Sequence, residues 1–405
     1  MKIKKYENLF LKHAKENHKT FIQGETGTGK STFLAKLVID WCRIKKVEKQ
    51  LKTKIANTDT QRNYASFFKD SWSLHRYSFV FHITLRNSVT EISIYNMIKE
   101  QIIDSIYSSE DDRKMAYTLL NEIMKRELCL ILLDGLDEWT GPGGGYNLPT
   151  LVTSHRQCVI LITTRPWKVG TFNPSEMDTL LQREGVNDPF ELSRNLLSVM
   201  IDRKELIAKH LLFMRYVSEK KLNDLLLSPM MLSVILCSYA EGITLKGSKC
   251  EIYCIILESL LKKANSKISE FQHPPFPCFT GTQYIQPNIE HLNRLAEAAF
   301  HLLFSNTRKN SLVFGISELK LYKLEEELET SLKSGILSAT PKASVLRLSS
   351  SFSFIHKSLQ EFLAAYHIAR NTQTINGQIS GYLKRSNNSY LDVTEVLTFL
   401  CGLDI

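Results

Sequence analysis

The chain has 405 residues, 43% hydrophobic and 23% charged, which excludes a disordered polymer and predicts two to four domains at about 150 residues each. Its net charge is +9, yet acids and bases are interspersed, and the densest basic patches, residues 2–5 and 43–49, carry no interleaved aromatics, so nucleic acid is not the expected partner. No uncharged apolar run reaches bilayer-spanning length, no apolar segment follows the basic residues 1–8, and the eight cysteines show no disulfide cadence, so a cytoplasmic protein without a membrane partner is expected.

Residues 1–20 read as a short amphipathic helix, with Ile3, Tyr6, Phe10 and Ala14 near helical spacing. Thr20 to Gln23 then read as a strand end. The next eight residues, Gly24-Glu25-Thr26-Gly27-Thr28-Gly29-Lys30-Ser31, fit the phosphate-cradling P-loop. Leu34, Leu37, Val38 and Trp41 follow at the spacing of an amphipathic helix. Strand, glycine loop and helix start are what the chemistry requires: backbone N–H groups and the positive helix end face the phosphates. The glycines remove Cβ atoms where backbone meets oxygen.

Residues 45–75 are polar and aperiodic and read as an insertion. Residues 79–85 read as a buried strand, and 93–127 as helix broken near the acidic turn at 108–112. Residues 128–133 and 159–162 are continuous apolar runs, the pattern of central parallel strands. Strands alternating with helices indicate an α/β parallel sheet, whose ligands bind at the carboxyl ends of the strands. The P-loop, Asp134 and Arg165 all fall at such ends. Residues 186–265 turn helical, and the proline-rich stretch 266–287 reads as a linker. A further helix holds Leu292, Leu295, Ala296 and Ala299, and a charged one near 317–333 stops at Gly335. Two strand-like runs, 336–340 and 345–355, suggest a winged helix, and a last helix near 390–405 has Val393, Val396, Leu397 and Leu400 on one face.

Lys30 would supply a mobile charge to the phosphates, while Ser31 and Asp134 would hold Mg²⁺, partly through water. Asp137 or Glu138 would position the attacking water, and Arg165 would sense a γ-phosphate. Thr32 completes the loop-side contacts. Ser228 and Pro229 read as N-cap and first residue of a new helix, where chemistry alone gives the proline no ligand role. His356 precedes a helix whose Ser358-x-x-Glu361 reads as a capping box. Cys250, Cys254, His273 and Cys278 fit no common zinc spacing and read as core or loop residues.

Taken together, the P-loop at 24–31, Asp134-Gly135-Leu136-Asp137-Glu138, Thr163-Thr164-Arg165-Pro166, Ser228-Pro229 and the stretch Phe354 to Phe362 resemble, in their order, the NACHT module of animal nucleotide-binding innate immune receptors, a branch of the STAND ATPases. The resemblance implies a nucleotide-binding domain over 1–185, a helical domain over 186–265, a winged helix over 285–372 and the start of a second helical domain over 373–405. It implies Pro229 against adenine and His356 on the ADP β-phosphate. It further implies an ATP/ADP switch with slow hydrolysis that opens on nucleotide exchange, forms homo-oligomers and acts in innate-immune-like signalling, with effector or sensor proteins in trans. A non-catalytic nucleotide-stabilised scaffold and an AAA-like nucleic-acid-remodelling ATPase are the competing readings.

Overall fold

The computed structural model describes residues 3–403 apart from 13–14, 17–18, 26, 53–67, 69, 89, 140, 142–147, 156, 171, 173–177, 244, 246–247, 265, 305–312, 343–348 and 372–392. It divides into two units, residues 1–25 with 29–184 and residues 26–28 with 185–405.

The first unit runs α1 (Glu7–Phe10), β1 (Leu11–Lys12), β2 (Lys15–Glu16), β3 (Lys19–Gln23), α2 (Lys30–Lys52), β4 (Phe79–Thr84), α3 (Ile94–Ile98), α4 (Asp104–Ile106), α5 (Glu110–Arg126), β5 (Cys129–Asp134), β6 (Cys158–Thr164), α6 (Pro166–Val169) and β7 (Thr179–Gln182). Five strands pair in parallel in the order β4-β5-β6-β3-β7. The apolar runs predicted as central strands are central. Their period of two splits the core between the sheet's faces. Ile131, Leu133, Ile160 and Ile162 pack with Ile94, Met97, Leu120 and Met124 of α3 and α5. Leu130, Leu132, Val159 and Leu161 pack with Leu34 and Leu37 of α2.

Two expectations here need correction. The helix expected over 1–20 is four residues long, because the chain turns at once into the β1–β2 hairpin and then β3. The segment 45–75, expected as an insertion, is helical as far as Lys52 and forms a 3₁₀ turn at Ser71–Arg76. Lys, Glu, Gln and Leu are strong helix formers, so α2 outlasts its apolar periodicity. The rest of that segment, apart from 68 and 70, lies outside the described residues.

The second unit runs α7 (Pro189–Met200), α8 (Arg203–Glu219), α9 (Pro229–Ala240), α10 (Lys249–Ala264), α11 (Ile289–Phe304), β8 (Val313–Phe314), α12 (Ile316–Leu321), α13 (Leu328–Ser334), β9 (Leu337–Lys342), β10 (Ser349–Phe354), α14 (Lys357–Arg370) and α15 (Thr394–Gly402). Strands β8, β10 and β9 form an antiparallel sheet in that order. The charged helix expected over 317–333 is two helices. Lys323 adopts a positive φ of 53°, Leu324 N–H donates to Leu319 C=O and Lys323 N–H to Lys320 C=O, which ends α12 in a Schellman motif. Gly335 takes a φ of 81° at the end of α13, as its position predicted.

The core of this unit centres on α14, buried from Lys357 to Tyr366. Phe362, Tyr253 and Phe399 join α14, α10 and α15 through ring contacts at 4.8–5.6 Å. The last helix therefore packs back on its own unit. Its buried face is Val393, Val396, Phe399 and Leu403, whereas Leu397, expected on that face, is 42% exposed. Cys250 and Cys254 are buried in the same core, where burial pushes the Cys254 thiol well up, aided by Cys278.

Candidate functional site in the first unit

Parallel register places the chemistry on one sheet edge. Gln23 pairs with Thr164, and Thr84 with Asp134. The residues that follow these strands, Gly24, Arg86, Gly135 to Glu138 and Arg165, thus leave the sheet at its carboxyl edge, where ligands of such sheets bind.

The loop after β3 turns into α2 at Lys30, with Gly29 at a φ of 85°. Gly24 N–H donates to Thr164 C=O at 3.2 Å, tying the loop's start to β6. The Lys30 ammonium donates to the carbonyls of Gly24 at 2.6 Å and Glu25 at 2.9 Å. The loop is therefore folded around its own lysine. Burial lowers the Lys30 pKa below its ordinary value, the carboxylates of Asp137 and Asp134 oppose that shift, and Arg165 adds to it. Ser31 and Thr32, in the first turn of α2, are exposed.

Asp134 ends β5 and is oriented by a residue the sequence reading left unassigned. Thr163, fully buried on the neighbouring β6, donates its hydroxyl to Asp134 Oδ1, and its Oγ1 accepts from Gly135 N–H at 2.9 Å. Gly135 has a φ of 84°, which only glycine adopts without strain. That kink starts the 3₁₀ turn Leu136–Glu138, which carries the two remaining carboxylates.

Each of those carboxylates meets an arginine. Arg165 Nε lies 3.0 Å from Asp137 Oδ2, with side chains 7% and 5% exposed. Arg165 is thus no surface residue; the β6 exit turn buries it. Arg86, just past β4, grips Glu138 with both arms, Nε to Oε2 at 2.7 Å and Nη2 to Oε1 at 3.0 Å. Burial pulls the Arg86 pKa down, but the hydrogen-bonded Glu138 together with Asp134 and Asp137 more than offsets it and the net shift is upward. Lys30, Arg86 and Arg165 therefore balance Asp134, Asp137 and Glu138.

The donor set fits a magnesium–nucleotide. A hydroxyl at Ser31 and an oriented carboxylate at Asp134 are hard oxygen ligands. Among the described residues no group of three or more His, Cys, Asp and Glu is arranged to hold a metal by itself. A cation here would need phosphate oxygens and water to complete its shell, the way Mg²⁺ is usually held.

The remaining predicted site residues belong to the second unit and are described there; Thr26 lies outside the described residues. Thr28 is buried. Ser228 is the N-cap of α9, its hydroxyl accepting from Met231 N–H, and Pro229 is the first helical residue, as predicted. Ser228 also donates to Gly27 C=O at 3.1 Å, and a Cβ on Gly27 would lie 2.4 Å from that hydroxyl. The predicted capping box at Ser358 is corrected: His356 is the N-cap of α14, its Nδ1 accepting from Ser358 N–H at 3.2 Å. The imidazole occupies the cap position that a serine would otherwise take, and Ser358 turns inward to accept from Tyr253 Oη at 2.7 Å.

No family model matches the chain, and no curated protein matches it. Among solved structures, the Orc1 protein of Aeropyrum pernix in complex with DNA is matched at 12% identity and a TM-score of 0.31, over 91% of this chain and 88% of that one. A likeness this loose transfers no residue role. Two expectations are corrected here. The NACHT assignment is withdrawn, since no family model matches the chain. Its strongest motifs, the P-loop and the acidic strand end, are general nucleotide chemistry, and the others are too short to fix a family. The exclusion of nucleic acid as a partner is likewise withdrawn, because it rested on the spread of charge along the sequence alone.

Proposed function

We propose that the first unit binds a nucleoside triphosphate with Mg²⁺ and hydrolyses its terminal anhydride, as an ATPase of the AAA-like kind. The observation that carries this reading is Lys30 folded into its own loop and facing Asp134 and Asp137 on one sheet edge. In this reading the Lys30 ammonium exchanges two loop carbonyls for phosphate oxygens. Ser31 and Asp134 would hold the ion, which when bound would neutralise charge on the transferring phosphoryl group. Thr163 keeps Asp134 aimed. Glu138 orients the attacking water and takes its proton.

The test is phosphate release at saturating ATP and Mg²⁺. Glu138→Gln is expected to lower the rate at least about 100-fold while nucleotide binding is kept. An unchanged rate would remove Glu138 from the reaction, and no turnover in the unaltered protein would favour the nucleotide-stabilised scaffold.

A second reading is nucleic-acid remodelling driven by this ATPase. Turnover stimulated by DNA or RNA at about 50 mM salt and fading near 200 mM would mark it.

A further inference from the structure

We propose that the corner where the C-terminal half of α2 meets the 3₁₀ turn at Ser71–Arg76 binds single-stranded nucleic acid, with a base stacked on Trp72 and phosphates held by Lys46 and Lys49. The inference rests on the second reading above, nucleic acid as partner, and gives it a surface on the first unit. That surface is separate from the nucleotide site. Lys46 stands sixteen residues past Lys30 on α2, about 24 Å along the helix axis at 1.5 Å per residue.

Local geometry holds the ring in place. Side chains three apart eclipse in a 3₁₀ turn, and Trp72 and His75 are stacked, with centroids 5.1 Å apart and planes at 11°. The turn is itself tied to α2. Lys45 Nζ donates to His75 C=O at 3.0 Å, His75 Nε2 lies 3.4 Å from Glu48 Oε2, and Trp41 Nε1 donates to Tyr77 C=O at 2.9 Å. Trp72 is nevertheless 55% exposed. A single apolar side chain in water is ordinary. This one is an indole whose plane is fixed in advance, so a base that stacks on it costs little further ordering.

Charge lies beside the ring. On α2, Lys49 neighbours Lys45 at i+4 spacing and Lys46 at i+3 spacing. Lys46, Lys49 and Arg76 are exposed, and Glu48 is the one acid within 45–49. Like charges at these spacings repel, and a row of phosphates relieves that repulsion. The negative end of the α2 dipole favours lysines by itself, but it gives no reason for an exposed indole beside them. The fold thus supplies what the basic stretch 43–49 lacks in the sequence, an aromatic among its cations. Nucleic acid fits better than a lipid surface, which calls for several apolar side chains projecting together, whereas Leu74 and Tyr77 beside Trp72 are buried. An unpaired strand fits better than a duplex, because its bases offer their faces for stacking.

Fluorescence anisotropy of a labelled oligothymidylate of about 15 nucleotides, titrated with the full chain at about 50 mM salt, tests this. Trp72→Ala is expected to weaken binding about tenfold, and Trp72→Phe, which keeps a ring, less than about threefold. Lys46→Ala/Lys49→Ala is expected to flatten the slope of log affinity against log salt by about 1.4, the value of two phosphate contacts on a single strand. Each replaced side chain is exposed, and an unchanged circular dichroism spectrum checks that the variants fold. No binding, or binding that Trp72→Ala leaves unchanged, would overturn the assignment. So would equal affinity for a duplex of the same length, tighter binding to phosphatidylserine vesicles, or an equal Trp72→Ala loss with heparin, a polyanion without bases. The remodelling reading fails separately. If the oligonucleotide binds at Trp72 yet leaves phosphate release unstimulated, remodelling falls and the surface stands; if stimulation survives Trp72→Ala, the surface falls and remodelling stands.

Discussion

Thr163 shows how much one hydroxyl can govern at the site. It is fully buried, donates to the carboxylate that would face the ion and accepts from the N–H of the kinked Gly135. Replacing it by valine keeps the shape and leaves both groups unsatisfied. Thr163→Val is expected to cost about 1–3 kcal/mol in denaturant unfolding and to weaken the Mg²⁺ dependence of nucleotide binding. Lys30 supports a second expectation. Burial depresses its pKa, and the protonated form is the one that attracts phosphate. Affinity should therefore fall with rising pH, starting below the ordinary lysine value of about 10.4. Lys30→Arg, which stays charged, should lose that alkaline limb. The loop and Asp134 were readable in the sequence because their spacing is local. Thr163 and Arg86 were not, since each gains its role from strand register, which brings position 163 beside 134 and position 86 beside 138.

Elements were legible where one local rule decided them. The strands β5 and β6 announced themselves as apolar runs, and the cap at Ser228 with Pro229 behind it was plain. Ser228→Ala is expected to cost about 1 kcal/mol in thermal unfolding, the usual value of an N-cap side chain. The start of α14 misled for a physical reason. Ser358-x-x-Glu361 is a fair capping box, but His356 supplies the cap two residues earlier and Ser358 is drawn inward by Tyr253. Tertiary packing outranked local preference there, as it did in α15, where Phe399 rather than Leu397 faces the core. Phe362 joins α14 to Tyr253 and Phe399. Phe362→Ala is expected to lose about 3–5 kcal/mol in denaturant titration.

For the molecule as a whole, alternation of strand and helix in the first 185 residues was enough to give a parallel sheet with its chemistry at one edge, although its fifth strand, β7, was not read from the sequence. Family membership did not follow from the same residues, because the motifs that suggested it are the common chemistry of phosphate binding. The account's central claim is that the loop around Lys30 holds nucleotide phosphates. Titration calorimetry of Mg²⁺–ATP into the unaltered chain and into Lys30→Ala tests it most directly. Saturable one-to-one binding that disappears in the variant is predicted; equal binding to both proteins would contradict the claim.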